Sequence, residues 1–522
     1  MVKFKKITFV NLVLLLVLTV IVGCSSESGS SEESQAENTT DTNDGTPKQG
    51  GEATVTFLAD VSSYDPILST TGTDQSLLWP VYETLIGFTP ELELKPGLAE
   101  SWETPDDTTI ILHLREGVTF HDGTPLDADA VKFNLDRVNS DDSLLTTLVN
   151  VENVEVVDTY TVKLQLSEPD ASILSALSDR EGMIVSPTAI EENGEDYAQN
   201  PVGAGPYKMV ERVPNGEIVF EAFEDYWQEG KPYLDKLTVK IMADENTRIN
   251  ALKSGEADLA YHLSVASSQS FKNDPNFVLT DIMPLRHRQI FLNASMAPID
   301  NKDVRLAILH AIDRDALIEA ITFGEGEPAN QSFPKDYWAA NENMKIEYNP
   351  EKSRKLLEEA GVEDVSFTMI THSIPTVLRV ADAVQSQLSD VGIEVNIEPM
   401  EIVAADGSYF ADKEAPAYLT AYTGRADPHQ AVKILYASDS YYNVGSHSTP
   451  EIESLISEAV SIYNQGERAK LYSELSKKAI LEEAIVIPII FEPHLSVNSS
   501  RLKGYEPNLI GKAFFNDIWI EE

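Results

Sequence analysis

A single cysteine, Cys24, occurs in 522 residues, so the chain cannot close a disulfide on itself. Positive charge is also scarce. Against 85 Asp and Glu stand 39 Lys and Arg, a formal net charge of −46. That balance excludes a nucleic-acid binder, which needs a basic footprint, and argues against docking on anionic lipid. It reads as a solubility device for a salty or alkaline medium. The nine histidines form no HExxH, no HxH and no i,i+4 pair, so no zinc site is legible and no metal or cofactor is expected. His429 and His447 are the one pair that folding could bring together. No GxSxG elbow is present. The stretch Gly324-Glu325-Gly326-Glu327-Pro328-Ala329 mimics a dinucleotide fingerprint. It follows a helical pattern, however, and its acids would repel a pyrophosphate. No repeat of 20–50 residues is visible, which removes solenoids and propellers. With these signals missing, an enzyme is not expected.

Long apolar runs are missing too, except at the start. Lys3, Lys5 and Lys6 precede an apolar stretch over residues 7–22, broken by Thr8, Asn11 and Thr19 and ending Ile21-Val22-Gly23-Cys24. A basic start, a short apolar run and small residues before a break describe an export signal; the alternative is an uncleaved anchor. A lone cysteine directly after Val-Gly matches the bacterial lipobox. There the cysteine sulfur carries lipid and becomes the mature N-terminus, held by about 0.8 kcal/mol per buried methylene. Residues 1–23 are thus read as a lipoprotein signal peptide and Cys24 as the lipidation site. Residues 24–51 are Ser-rich and acidic. Beyond Cys24 they hold one apolar residue, Ala36, and are expected to be a disordered tether. The expected location is the extracellular face of a cell membrane, lipid-anchored, in a Gram-positive cell, or the periplasmic side in a Gram-negative one.

The remaining chain has globular composition, 42% hydrophobic and 8% aromatic. Periodicity predicts a strand at 53–58 and a helix at 75–85. A strand follows at 109–115, a helix at 127–138 and a hairpin at 151–166. Later come helices at 246–253, 302–312 and 350–360, the first and last stopped by Gly255 and Gly361. A βαβ unit spans 365–397, two helices cover 450–463 and 468–483, and an apolar strand at 485–491 returns the chain to its first domain. Interleaved strands and helices make the class α/β.

Five collinear stretches then resemble one family. Leu98-Ala99-Glu100-Ser101-Trp102 runs on through Leu112-His113-Leu114-Arg115-Glu116-Gly117 to Phe120-His121-Asp122-Gly123-Thr124-Pro125. The others are Pro201-Val202-Gly203-Ala204-Gly205-Pro206-Tyr207, Asp225-Tyr226-Trp227, Asp303-Val304-Arg305-Leu306-Ala307-Ile308 before Ala311-Ile312-Asp313-Arg314, and Asn349-Pro350-Glu351 with residues 356–361. Together they resemble the ABC-importer solute-binding proteins of family 5, the peptide/nickel/opine class. The resemblance implies a two-lobed, class II-like periplasmic-binding-protein fold with a hinge, an extra subdomain in lobe 1 and ligand enclosed between the lobes. The implied boundaries are 52–287 and 487–522 for lobe 1, with the subdomain at about 88–200, and 288–486 for lobe 2. The implied role is delivery of a small peptide-like solute to ABC permease subunits by a monomer. Alternatives on the same fold are a sensory or chaperone lipoprotein, or a nickel-chelate or opine binder.

Two segments resemble those that peptide- and glutathione-type members present to the cleft. One is residues 179–187, with Arg180; the other is residues 423–428, with Arg425 and Asp427. Arginine suits a carboxylate because its planar fork binds both oxygens. The structural alternatives are an ion pair of Arg180 with a neighbour and of Arg425 with an acid such as Asp427. Tyr64, Trp79, Tyr82, Tyr422 and Tyr442 are candidate cleft aromatics, as are Tyr261 and Tyr441. The chain departs from the dipeptide pattern. It lacks an Asp at the Gly424-Arg425 position itself, an Arg near Thr371-His372-Ser373 and the Trp-Gly pair of nickel binders near Tyr422. An Arg-lined pocket without that Asp favours an anionic, glutathione-like solute.

Overall fold

The computed structural model describes residues 46–69, 74–145, 147–362 and 364–521. The proposed signal, Cys24 and most of the tether lie outside them. Among the described residues no helix is long and apolar enough to cross a membrane.

Two mixed sheets organise the molecule. The first has seven strands, in the order Phe277–Ile282, His494–Ser499, Leu259–Leu263, Glu52–Phe57, Lys236–Ile241, Glu217–Ala222 and Tyr207–Val213. Its central strand, Glu52–Phe57, runs parallel to both neighbours, and such a strand must be covered on two faces. The second sheet has six: Glu327–Pro328, Val486–Phe491, His287–Leu292, Ala417–Tyr422, Ser366–His372 and Glu394–Met400. His287–Leu292 and Val486–Phe491 are buried at every position, which explains why Val486–Phe491 reads as an unbroken apolar run and not as alternation. The βαβ unit is present, with helix Pro375–Ser389 crossing between the parallel strands Ser366–His372 and Glu394–Met400.

A four-stranded antiparallel sheet stands apart, in the order Ala99–Asp106, Thr109–Leu114, Thr161–Leu166, Val151–Asp158, with helix Ala128–Val138 on it. Its core extends to Ile67, Ile173, Leu177, Ile184 and Ala204. Helix ends follow the cap chemistry of the sequence. Asp127 accepts from the Ala130 amide at 3.0 Å, and Asn349 accepts from Lys352 at 2.9 Å. Gly361 closes its helix at φ 65°, a conformation glycine adopts without strain.

Two expectations fail. The helix foreseen at 75–85 is only Gln75–Leu78, because Pro80 has no amide to donate and its ring clashes with the preceding turn. Residues 485–491 do not return the chain to the first sheet. Val486–Phe491 pairs with His287–Leu292 in the second sheet, and only His494–Ser499 joins the first. The return lies at Glu492-Pro493, and the outward connection lies between Ile282 and His287.

These two connections are tied together. Glu492 accepts from Arg288 Nε at 3.0 Å and pairs with Arg286 Nη1 at 3.3 Å. Burial alone would raise the Glu492 pKa, but the two guanidinium charges hold it below the usual carboxylate range.

The family-like motifs serve as scaffold. His121 bonds the Gly205 carbonyl at 2.9 Å, docking one motif on another. Arg115 covers the Trp227 ring at 4.5 Å. Arg314, fully enclosed, donates twice to the Pro488 carbonyl; burial lowers its pKa to about 9.

Candidate functional site

Arg425 hangs from a turn that only glycine permits. Gly424 has φ 77°, and a Cβ there would stand 2.4 Å from Leu285 Cβ. The turn therefore packs directly on the connection between the sheets. The exposed Arg425 guanidinium reaches only its own turn, Gly424 O at 3.0 Å and Thr423 Oγ1 at 3.3 Å. Among the described residues it pairs with no acid, and the anticipated partner Asp427 is engaged elsewhere.

A second cation, missed in the sequence, approaches from the C-terminal segment. Gly511 has φ 74°, and its Cβ position would lie 3.3 Å from Pro284. Tyr261 Oη fixes that turn by donating to the Gly511 carbonyl at 2.6 Å. The next residue, Lys512, makes no ion pair among the described residues. Burial first, then the charges of Arg180 and Arg425, pull its pKa down to about 8, against the opposing pull of Asp179 and Glu181.

Arg180 supplies the third charge. Its Nη1 donates to the Ser69 carbonyl at 2.5 Å and its Nε lies 3.7 Å from Asp179, while Nε itself is buried without a hydrogen bond. Beside it, Glu181 accepts from Thr147 at 2.5 Å. Burial, reinforced by Asp179, raises its pKa to about 7. Residues 180, 425 and 512 thus meet in one electrostatic field, in a chain where acids outnumber bases more than two to one. Tyr422 adds a buried hydroxyl with no hydrogen-bond partner, close enough to Arg425 to feel its charge. Such orphaned groups are rare in interiors and mark places where a ligand or water completes the bonding.

The other candidates are placed differently. Asp427 is 1% exposed. Its oxygens accept from Arg468 Nη2 at 2.7 Å and Nη1 at 3.1 Å, and from Ser175 Oγ at 3.1 Å. It also caps helix Pro428–Tyr436 through the His429 amide. It is a structural acid and does not face a ligand, because every bond it can accept is taken from within the protein.

Tyr82 is likewise internal, donating to the Tyr64 carbonyl at 2.6 Å and meeting Tyr197 Oη at 3.0 Å. Tyr64 is fully buried in the first lobe's core beneath Arg212. Trp79 packs on Phe88 and Phe514. Tyr442 is half-buried against Phe410, ring centroids 4.6 Å apart. His447 does not join His429; it bonds Arg305 at 2.6 Å and Glu483 at 3.2 Å. Among the described residues no three His, Cys, Asp or Glu side chains are arranged to hold a metal.

Residues before the 179–187 segment touch the second body: Ser175 bonds Asp427, and the Ala171 amide donates to the Val460 carbonyl at 2.8 Å. Such a junction of two lobes is where comparison with known proteins becomes informative. Residues 93–443 match the model of the bacterial extracellular solute-binding proteins, family 5. The chain belongs to that family. The glutathione-binding protein GsiB of Salmonella paratyphi A is 31% identical over 461 residues, covering 85% of this chain and 90% of that protein. Among solved structures, the ABC transporter-associated periplasmic binding protein DppA of Helicobacter pylori, in complex with peptide STSA, superposes with TM-score 0.76 at 26% identity. The match covers 91% of this chain and 99% of that one. HbpA2 of Haemophilus parasuis gives TM-score 0.81 at 25% identity, over 90% of this chain and 100% of that one. The fold is thus the two-lobed α/β fold of periplasmic binding proteins, and the chain is a solute-binding protein.

Proposed function

We propose that this protein captures a small peptide-like solute with more than one carboxylate, of the glutathione kind, between its lobes and presents it to an ABC permease. The observation that carries the reading is that Arg180 and Arg425 both bear on Lys512, three cations against the two acids beside them, Asp179 at 3.7 Å from Arg180 and Glu181. Three like charges held together cost energy unless a bound anion offsets them. Arg425 rides on the second lobe and Arg180 and Lys512 on the first, so an anion touching all three draws the lobes together. A ligand that binds the closed form better shifts the population toward it. GsiB, by its name a glutathione binder, adds support to this choice of solute. No enzymatic step is assigned to the site.

Titration calorimetry with glutathione, its diethyl ester and a plain dipeptide tests the reading. The free acid should bind at least about tenfold tighter than the ester, since each charge-assisted bond contributes about 1.5–3 kcal/mol. Equal affinity for acid and ester would rule the reading out. The same titration carries a pH prediction. Lys512 loses its proton as pH rises through about 8, so affinity should fall above that pH, and binding near it should take up protons from the buffer. An affinity flat from neutral to alkaline pH would remove Lys512 from the site.

We further propose that Cys24 bears the lipid anchor on the outer face of the membrane, with residues 25–51 as the tether. Cys24→Ala should abolish palmitate labelling, leaving an unlipidated protein or unprocessed precursor, without changing the melting temperature of the folded part. Labelling unchanged in the variant would contradict the assignment.

A further inference from the structure

A cavity of about 160 Å³ lies within the first lobe, lined by residues from 79–97, 226–231 and 504–517. None of Arg180, Arg425 and Lys512 contributes to it, and no residue of the second sheet does. Part of its wall is aromatic: Trp79 meets Phe88 and Phe514 edge-on at 5.7 and 5.5 Å, and Trp227 also lines it. Three acids, Glu83, Glu506 and Asp517, and two lysines, Lys95 and Lys231, share the lining. Glu83 Oε1 accepts from Tyr226 Oη at 2.5 Å, and Glu83 forms no ion pair among the described residues.

Lys231 and Lys95 both pull on Glu83, but each also faces another acid. Lys231 is committed to Asp517. Lys95 and Glu506 stand exposed on the rim and offset each other. Enclosure in the wall raises the Glu83 pKa to about 7, against the Tyr226 hydrogen bond and the pull of Lys231 and Lys95, and with Asp517 adding to the rise. A carboxylate among ring faces is the arrangement that favours an organic cation, through the ring quadrupoles and the direct charge. The space admits a compact cation.

We propose that this cavity is a second binding site, independent of the interlobe site, for a small alkylammonium ion that pairs with Glu83 against Trp79, Phe88, Phe514 and Trp227. Occupation neutralises Glu83 and fills the space behind the Asp225-Tyr226-Trp227 turn. The ion therefore stabilises the first lobe by mass action.

The test uses the mature chain titrated with tetramethylammonium chloride, followed by tryptophan fluorescence and thermal melting. Sodium chloride at equal ionic strength and tert-butanol, a neutral molecule of the same shape, are the controls. A saturable response to the ammonium alone is expected, strengthening as pH rises through about 7 while Glu83 ionises. Glu83→Gln keeps an acceptor for Tyr226 and should weaken the response about tenfold; Phe88→Leu keeps the volume but loses a ring and should weaken it about fivefold. Arg425→Ala should leave it unchanged, which separates this site from the interlobe one. A response shared by tert-butanol or sodium chloride, or untouched in both Glu83→Gln and Phe88→Leu, overturns the proposal. So does no saturable response at all.

Discussion

Arg425→Ala is expected to weaken solute binding by about 10- to 150-fold while leaving the unliganded protein as stable as before. The size follows from losing one charge-assisted contact in a poorly hydrated cleft, about 1.5–3 kcal/mol. The neutrality in the free protein follows from the geometry. The guanidinium is exposed and, among the described residues, bonds the oxygens of its own turn and pairs with no acid, so alanine orphans none of them. Arg425→Lys should recover only part of the affinity, because an ammonium keeps the charge and loses the two-pronged fit. Calorimetry with glutathione, beside thermal melts of the free protein, reads both quantities. Loss of stability with affinity retained would make Arg425 a structural residue.

The opposite pattern is expected two residues on. Asp427→Ala should cost about 3–5 kcal/mol of stability, because it leaves the Arg468 charge buried without its partner. Arg468 is 6% exposed. Burial by itself would lower its pKa, yet the Asp427 charge holds it above the ordinary value, a sign that the pair exists as ions. After Asp427 is removed, Arg468 keeps hydrogen bonds to Tyr472 Oη at 2.9 Å and the Ala459 carbonyl at 3.2 Å and its place over the Trp338 ring, but no opposite charge among the described residues. The cap on helix Pro428–Tyr436 goes as well, about 1 kcal/mol more.

Adding Arg468→Met should restore most of the loss, since an apolar side chain leaves no charge to compensate. Urea unfolding of both variants decides it. A single variant within about 0.5 kcal/mol of the natural protein, the range of ordinary surface changes, would contradict a buried ion pair.

How Arg425 and Asp427 divide their work shows what a sequence can and cannot disclose. The turn itself was legible: a Gly-Arg before Asp-Pro is a loop leading into a capped helix, and the family-like motifs placed it near the cleft. Which of the two charges faces outward was not legible. It depends on Arg468, 41 positions later, whose approach is set by how helix Gln465–Ser476 packs.

Lys512 was invisible for the same reason. It lies in a stretch with little regular structure, and its place is fixed by Gly511 touching Pro284 more than two hundred residues earlier. Trp79 and Tyr82 were assigned to the cleft by residue type alone. Pro80 between them ends the helix after one turn, and both side chains pack into the first lobe. Local caps, periodicities and glycine stops needed no such knowledge. Helices such as Pro350–Ala360 and Ala128–Val138 therefore lie within a residue of where the sequence places them.

The central claim is that the space between the lobes holds an anionic peptide-like solute. Native mass spectrometry of the protein purified without denaturation from its own cells tests this most directly. The account predicts a one-to-one complex whose released solute is a small peptide derivative with at least two carboxylates, absent from the Arg425→Ala variant. A neutral or cationic solute, or a metal chelate, released in equal amount from both proteins would contradict it.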